Sequence, residues 1–341
     1  MKRFSVIVPA YNAQATIRRC LDSIYSLPVP EEEFEVIVID DCSADGTVTV
    51  LQEYGRDHAD LSLLVQPQNH RQGAARNRGL SQACGEWIVF LDSDDELASG
   101  VIPALELAER EQMDMVAMKG VCVDLEGRTR KTYGLPYPGD MVFSGKRLQV
   151  EHPFWACGPV LYLYRKSFLD RVEYPFAEDV LYEDSDFVNV HLYHAARMGY
   201  CPEVAYLIHE NPASTTRTIS YKHVCDYALL GTRLLRFHSS MAASDAAFAD
   251  LTLEGGSFNI MKSFRALFRL DSPADVRAFY DRLDAHADRK DYLHYREPAY
   301  CWTRWTRFCL KHRRLATAIV GGAISSHVLE LRKAFKKKKH A

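Results

Sequence analysis

Within the first hundred residues, four short apolar runs each end in polar or acidic residues, and helix-length segments lie between them. The runs are Phe4 to Val8, Phe34 to Ile39, Leu61 to Val65 and Trp87 to Leu91. Between them, Ala13 to Ser26 carries Ile17, Leu21 and Ile24 at helical spacing, and Thr47 to Tyr54 and Gly73 to Ala83 fit two further helices. Strands alternating with helices predict βαβ units and a parallel sheet. The unbroken run Val36-Ile37-Val38-Ile39 predicts a sheet covered on both faces. In such sheets ligands sit beyond the carboxyl ends of the strands. The residues just past the strands are therefore informative: Pro9-Ala10-Tyr11-Asn12, then Asp40-Asp41-Cys42-Ser43-Ala44-Asp45-Gly46-Thr47, then Asp92-Ser93-Asp94-Asp95.

A length of 341 residues allows about two domains. Hydrophobic content of 47% with 26% charged residues excludes a disordered, collagen-like or multi-span chain. A net charge of -3 excludes a wholly basic nucleic-acid binder, and no nucleic-acid partner is expected. The nine cysteines contain no C-x-x-C pair and read as thiols in a reducing cytosol. Met1-Lys2-Arg3 and the apolar run after it resemble a signal peptide, but Pro9 cuts the run too short, and a strand is expected. Past residue 96 the pattern is mixed. A helix over Pro103 to Gln112, strands within Met115 to Val123, a helix over Ser185 to Arg197 and a strand over Val204 to His209 predict an α+β half that completes the first. From Tyr221 onward the pattern is mainly helical.

Three clusters could carry chemistry. Asp92, Ser93, Asp94 and Asp95 follow an apolar strand, where alternate carboxylates can share a hard divalent cation, Mg²⁺ or Mn²⁺. An acidic turn that caps the next helix is the alternative. Asp40 and Asp41 can accept hydrogen bonds from a base or a ribose, while Ser43 or Asp45 with Gly46 reads as a helix entry. Gly73-Ala74-Ala75-Arg76-Asn77 opens a helix with small residues, and Arg76 can pair with phosphate or with nearby acids that hold adjacent loops.

Taken in order, Ser5 to Asn12, Val38 to Thr47, Ala75 to Leu80 and Phe90 to Asp95 resemble a family 2 glycosyltransferase with the GT-A fold. The resemblance is strong from about residue 4 to 96, thinner to about 215 and absent beyond. It implies a Rossmann-like α/β fold: a mostly parallel sheet flanked by helices, with a C-terminal helical extension. Residues 1–96 would form the nucleotide-sugar-binding half, 97–215 the acceptor-binding half and 216–341 the extension. It implies that Pro9, Ala10, Tyr11 and Asp41 hold the uracil of a UDP-sugar, with Asp40 supporting that loop. Arg76 would lie near base and diphosphate. Asp92, with Ser93 beside it, would meet ribose or sugar hydroxyls, and Asp94 would ligate Mn²⁺ or Mg²⁺. Arg71 stands where the family often has glycine after Asn69.

In the second half, Tyr182-Glu183-Asp184-Ser185-Asp186-Phe187 resembles the family's acidic pair before an aromatic residue. An inverting transferase must take a proton from the acceptor hydroxyl, which implies Asp184 as base, with Glu183 second. A helix N-terminus enriched in acids is the plain alternative. His209 could complete a metal site with Asp92 and Asp94 or touch phosphate, with a structural histidine as the plain alternative; Trp155 could stack on a sugar or fill the core, and His191 and His194 read as surface histidines.

From Cys301 to Ala341 the chain carries 11 Lys or Arg and one acid, Glu330, on an otherwise acidic body. Trp302, Trp305 and Phe308 interleave with those cations, which suits an anionic membrane surface. The combined expectation is a peripheral enzyme on the cytoplasmic face. It would move a hexose or N-acetylhexosamine to a hydroxyl of a growing, lipid-linked glycan in capsule, exopolysaccharide or lipopolysaccharide assembly. The alternative is an inactive scaffold that binds membrane or partner enzymes through its tail. A nucleotidyltransferase lacks its Gly-rich triphosphate loop after strand one, and a dehydrogenase lacks G-x-G-x-x-G. A homodimer is left open.

Overall fold

The computed structural model describes residues 2–152, 158–211, 221–241 and 245. The chain divides into two compact units, Met1–Ser214 and Thr215–Ala341. The first unit begins with β1 (Phe4–Ala10), α1 (Ile17–Tyr25), β2 (Phe34–Asp40), α2 (Thr47–Tyr54), β3 (Leu61–Val65), α3 (Arg71–Gln82) and β4 (Trp87–Phe90). It continues with β5 (Glu96–Leu97), α4 (Val101–Arg110), β6 (Met115–Val123), β7 (Thr129–Tyr133) and α5 (Gly145–Glu151). It closes with β8 (Tyr162–Arg165), α6 (Lys166–Val172), α7 (Asp184–His194) and β9 (Met198–His209). The second unit contributes α8 (Tyr221–Met241) to the described residues, with His223, Asp226, Leu230 and Leu234 buried at helical spacing.

The strands form one sheet in the order β3-β2-β1-β4-β8-β6-β9-β5, with β7 paired to β6. The expected parallel arrangement holds for β3-β2-β1-β4. Beyond β4 the sheet is mixed: β6 and β9 are parallel, while β4–β8, β6–β8, β6–β7 and β5–β9 are antiparallel. β8 inserts between β4 and β6, so a single sheet joins the two halves expected to meet at residue 96. Val6, Ile7, Val8, Val36, Val38, Ile39, Ile88, Val89 and Phe90 are fully buried, as a sheet covered on both faces requires.

β1 runs past Val8, where the apolar run ends, to Ala10. Leu91 N–H donates to Ile7 O on the β4 side, and Asp41 N–H donates to Ala10 O on the β2 side. By alternation, Pro9 faces β4 beyond the last β1–β4 pair, Ile7 with Phe90. Its missing N–H therefore leaves no gap in a ladder. α3 packs on this part of the sheet at Gly79, where a Cβ would lie 2.4 Å from Ile7 Cγ2.

Candidate active site

The loops beyond β1 and β2 interlock through short polar side chains. Asn12 N–H donates to Ser43 Oγ (2.9 Å), and Ala44 N–H donates to Asn12 Oδ1 (2.8 Å). Asn12 and Cys42 both adopt left-handed φ, +50° and +63°. Tyr11, at the rim, is 51% exposed, whereas Pro9 and Ala10 are buried within the strand. Asp45 accepts from Thr47 N–H (3.0 Å), a local turn that starts α2, so the helix-entry reading holds for Asp45.

Asp40 is fully buried and accepts from Ser43 N–H (3.0 Å). Asp41 takes the larger part in holding the next loop. Its carboxylate accepts from Gln66 Nε2 (2.7 Å), His70 N–H (2.8 Å) and Arg71 N–H (2.6 Å). These bonds account for the Arg71 position: its φ is +67°, a conformation natural to glycine. A residue with a Cβ is strained there by about 1–2 kcal/mol, and the two N–H bonds to Asp41 offset that strain. Among the described residues, the Arg71 guanidinium has no hydrogen-bond or ion-pair partner.

Beyond β4, the Asp92–Asp95 turn closes through Asp95 N–H to Asp92 O (3.0 Å). Ser93 lies half-buried on this turn. The end of β9 secures it: Tyr206 Oη donates to Asp95 Oδ2 (2.9 Å) and accepts from Asp92 N–H (3.1 Å), and His209 N–H donates to Asp95 Oδ1 (2.8 Å). Burial, then the charges of Asp92 and Asp94, push the Asp95 carboxyl up to about 8. Asp94 Oδ2 accepts from Asn211 Nδ2 (2.9 Å), and its carbonyl accepts from Arg19 (2.5 Å). The cluster is thus crowded with negative charge and offers hard oxygen donors, which fits a divalent cation.

Antiparallel pairing of β5 with β9 brings His209 to this turn, with its Nε2 2.7 Å from Glu96 Oε1. Among the described residues no three His, Cys, Asp or Glu side chains gather as a metal cage. Mg²⁺ in particular commonly uses one or two protein carboxylates, with substrate phosphates and water supplying the rest. Asp94 and Asp92, both half-buried on this turn, are the carboxylates that could serve in that way.

Arg76 is 2% exposed and donates Nη2 to Asp92 Oδ1 (2.8 Å) and Nη1 to Glu183 Oε1, with the Phe176 ring 5.4 Å from its guanidinium carbon. It joins the turn after β4 to the start of α7, the pairing with nearby acids that holds adjacent loops. Glu183 is buried, while Asp184, the first residue of α7, is half-buried. Burial and then the Glu183 charge push Asp184 up to about 7, against the pull of Arg76. His191 is not a surface residue: it is buried, Nδ1 lies 2.8 Å from Phe187 O, and burial lowers it to about 4. His194, at the end of α7, is exposed, as expected.

Several contributors escaped the sequence reading: Tyr206, Asn211, Arg19 and Asn77. The only local signal was Asn77, inside the Ala75-Arg76-Asn77 stretch already quoted. Trp155 and the whole basic tail from Cys301 lie outside the described residues.

Residues 5–172 match the family described as Glycosyl transferase family 2. Over those residues the chain carries a family 2 glycosyltransferase region. Among curated relatives, it is 25% identical over 301 residues to poly(ribitol-phosphate) beta-N-acetylglucosaminyltransferase TarS of Staphylococcus aureus (strain MW2), covering 86% of this chain and 51% of TarS. It is 31% identical over 232 residues to the uncharacterized glycosyltransferase EpsJ of Bacillus subtilis (strain 168), covering 65% of each. It is 36% identical over 152 residues to a GalNAc(5)-diNAcBac-PP-undecaprenol beta-1,3-glucosyltransferase of Campylobacter jejuni, covering 44% of each. The chain spans about half the length of the TarS relatives it matches. The crystal structure of S. aureus TarS 1-349 in complex with UDP-GlcNAc aligns with a TM-score of 0.61 at 21% identity, covering 93% of this chain and 92% of that one. The chain therefore has the GT-A fold.

Proposed function

We propose that this chain transfers a hexose or N-acetylhexosamine from a UDP-sugar to a hydroxyl of a growing, lipid-linked glycan of the cell surface, with inversion. The observation that carries the reading is the junction at Arg76. Through it, the Asp92–Asp95 turn on the donor side and Glu183, the residue before Asp184, on the acceptor side share one ionic network. The names of two relatives refer to a poly(ribitol-phosphate) and to an undecaprenol-linked glycan, and one solved TarS structure holds UDP-GlcNAc.

In this reading the base lies against Tyr11 beside Asp40 and Asp41, and Asp92 with Ser93 meets ribose or sugar hydroxyls. Asp94, with Asp92, would hold Mn²⁺ or Mg²⁺, which when bound offsets charge on the departing diphosphate. Asp184 accepts the acceptor's hydroxyl proton as that oxygen bonds to the anomeric carbon. The bond from that carbon to the diphosphate breaks, and UDP leaves. A carboxyl raised to about 7 is a competent base near neutral pH. Glu183, bound to Arg76, holds the network beside it. The basic tail would place the enzyme on the anionic inner face of the membrane.

Calorimetric titration of UDP, with GDP and CDP as controls, with and without Mn²⁺, tests the donor half. UDP-selective, Mn²⁺-dependent binding that Asp94→Asn abolishes is the expected result. Absence of any nucleotide binding would sink the reading and favour the scaffold.

A further inference from the structure

Residues 173–183, between α6 and α7, carry no helix or strand, yet they lead directly into Asp184. A segment without a ladder of its own takes its position from its neighbours. Here the neighbour is α3. Asn77 makes a reciprocal pair with the Phe176 backbone: Nδ2 donates to Phe176 O (3.0 Å) and Phe176 N–H donates to Oδ1 (3.0 Å). Nδ2 also donates to Glu178 Oε1 (2.8 Å). One turn earlier, Gly73 meets Ala177 so closely that a Cβ would lie 2.0 Å from its carbonyl oxygen. Asp179 N–H donates to His70 O (3.1 Å), and the His70 ring lies 2.9 Å from Asp179 Oδ1.

We propose that Asn77 is a positioning residue for the proton-accepting step: by fixing residues 176–178 on α3 it sets where Asp184 stands relative to the donor. The proposal rests on the transferase reading above. Phe176 also stacks on Phe187, with ring centroids 3.6 Å apart, but an apolar stack resists sliding weakly. The amide pair is directional and fixes register. The other end of the same helix turn is tied to Asp41 through His70 and Arg71, so one rigid element carries both the nucleotide loop and the base segment.

The test uses the full chain and three readouts. UDP affinity comes from calorimetry with Mn²⁺. Turnover comes from UDP release, using whichever of a panel of UDP-sugars is fastest. Mobility comes from amide hydrogen exchange across 174–183. Asn77→Ala should keep UDP affinity within about threefold, lower kcat at least about tenfold and speed exchange in 174–183. Asn77→Asp, which retains the Phe176 N–H bond and loses the two donated bonds, should be affected in the same direction, and adding Glu178→Gln should recover part of its turnover. If the wild-type chain binds no UDP and releases none, the transferase reading fails first. If the wild type turns over and both Asn77 variants keep kcat within about twofold, this proposal alone is overturned. Loss of UDP affinity in step with kcat would also overturn it, since that marks a general structural role.

Discussion

Removing the Arg76 guanidinium while keeping its bulk is the sharpest probe of this site. Arg76→Met leaves Asp92 and Glu183, which Arg76 now pairs, without their shared cation, and Glu183 is buried. Breaking a buried pair by removing one partner costs about 3–5 kcal/mol, because a charge remains uncompensated. For a unit of this size each kcal/mol lowers Tm by about 2–4 °C, so the expected drop is roughly 6–20 °C. The pH dependence adds a signature. Arg76 pulls the raised Asp184 carboxyl down, so without it this acid is harder still to ionise in the folded state, and the folded variant binds its proton more tightly than the unfolded chain does. Its stability then falls as pH rises, and the deficit against wild type should be larger near about pH 8 than near about pH 5. Calorimetric melting across that range, with Lys166→Met as an exposed ion-pair control, measures this. The control should move by less than about 1 kcal/mol. A deficit for Arg76→Met that is equally small, or that does not change with pH, would refute the argument that Arg76 neutralises a buried acidic junction.

The base and the tail give two further outcomes. In the proposed role Asp184, raised to about 7, acts ionised, so UDP-sugar turnover should fall about tenfold per pH unit below that value. Asp184→Asn should abolish turnover while sparing UDP binding, and a rate flat from about pH 5 to 8 would rule Asp184 out as the base. The tail carries 11 Lys or Arg against one acid, so deleting residues 301–341 should end co-sedimentation with anionic vesicles and leave UDP affinity unchanged. Equal sedimentation of the full chain with neutral vesicles would remove the electrostatic basis for membrane binding.

The parallel part of the fold was legible because strands buried on both faces are written as unbroken apolar runs, Val36 to Ile39 above all. β7 was not, because Thr129 to Tyr133 lies largely exposed at the side of the sheet and lacks an apolar stripe. β5 has two residues, too few for any period. The acids at the strand ends were legible from their position, but their partners were not. Arg76 offers the same local pattern whether it meets a phosphate or Glu183, and Glu183 lies far along the chain. His209 obeys the same logic: only the β5–β9 register sets it beside Glu96. His191 misleads because one polar residue on a helix looks solvent-facing until Phe187, Tyr164 and Phe168 are seen around it.

The insertion of β8 between β4 and β6 also dictates when the sheet can be finished on the ribosome. β4 gains its β1 neighbour as soon as it emerges, but its other flank waits for Tyr162–Arg165 to be made, with Ile88 to pair with Tyr164. At about 5–20 residues per second that wait lasts roughly 4–15 s. Throughout it, Trp87-Ile88-Val89-Phe90 presents an open, wholly apolar strand edge, of the kind that pairs with stray chains. The nascent chain is therefore most exposed to aggregation, and most in need of a chaperone, during this interval, when the strand that carries the Asp92–Asp95 turn is complete and its later partner is not.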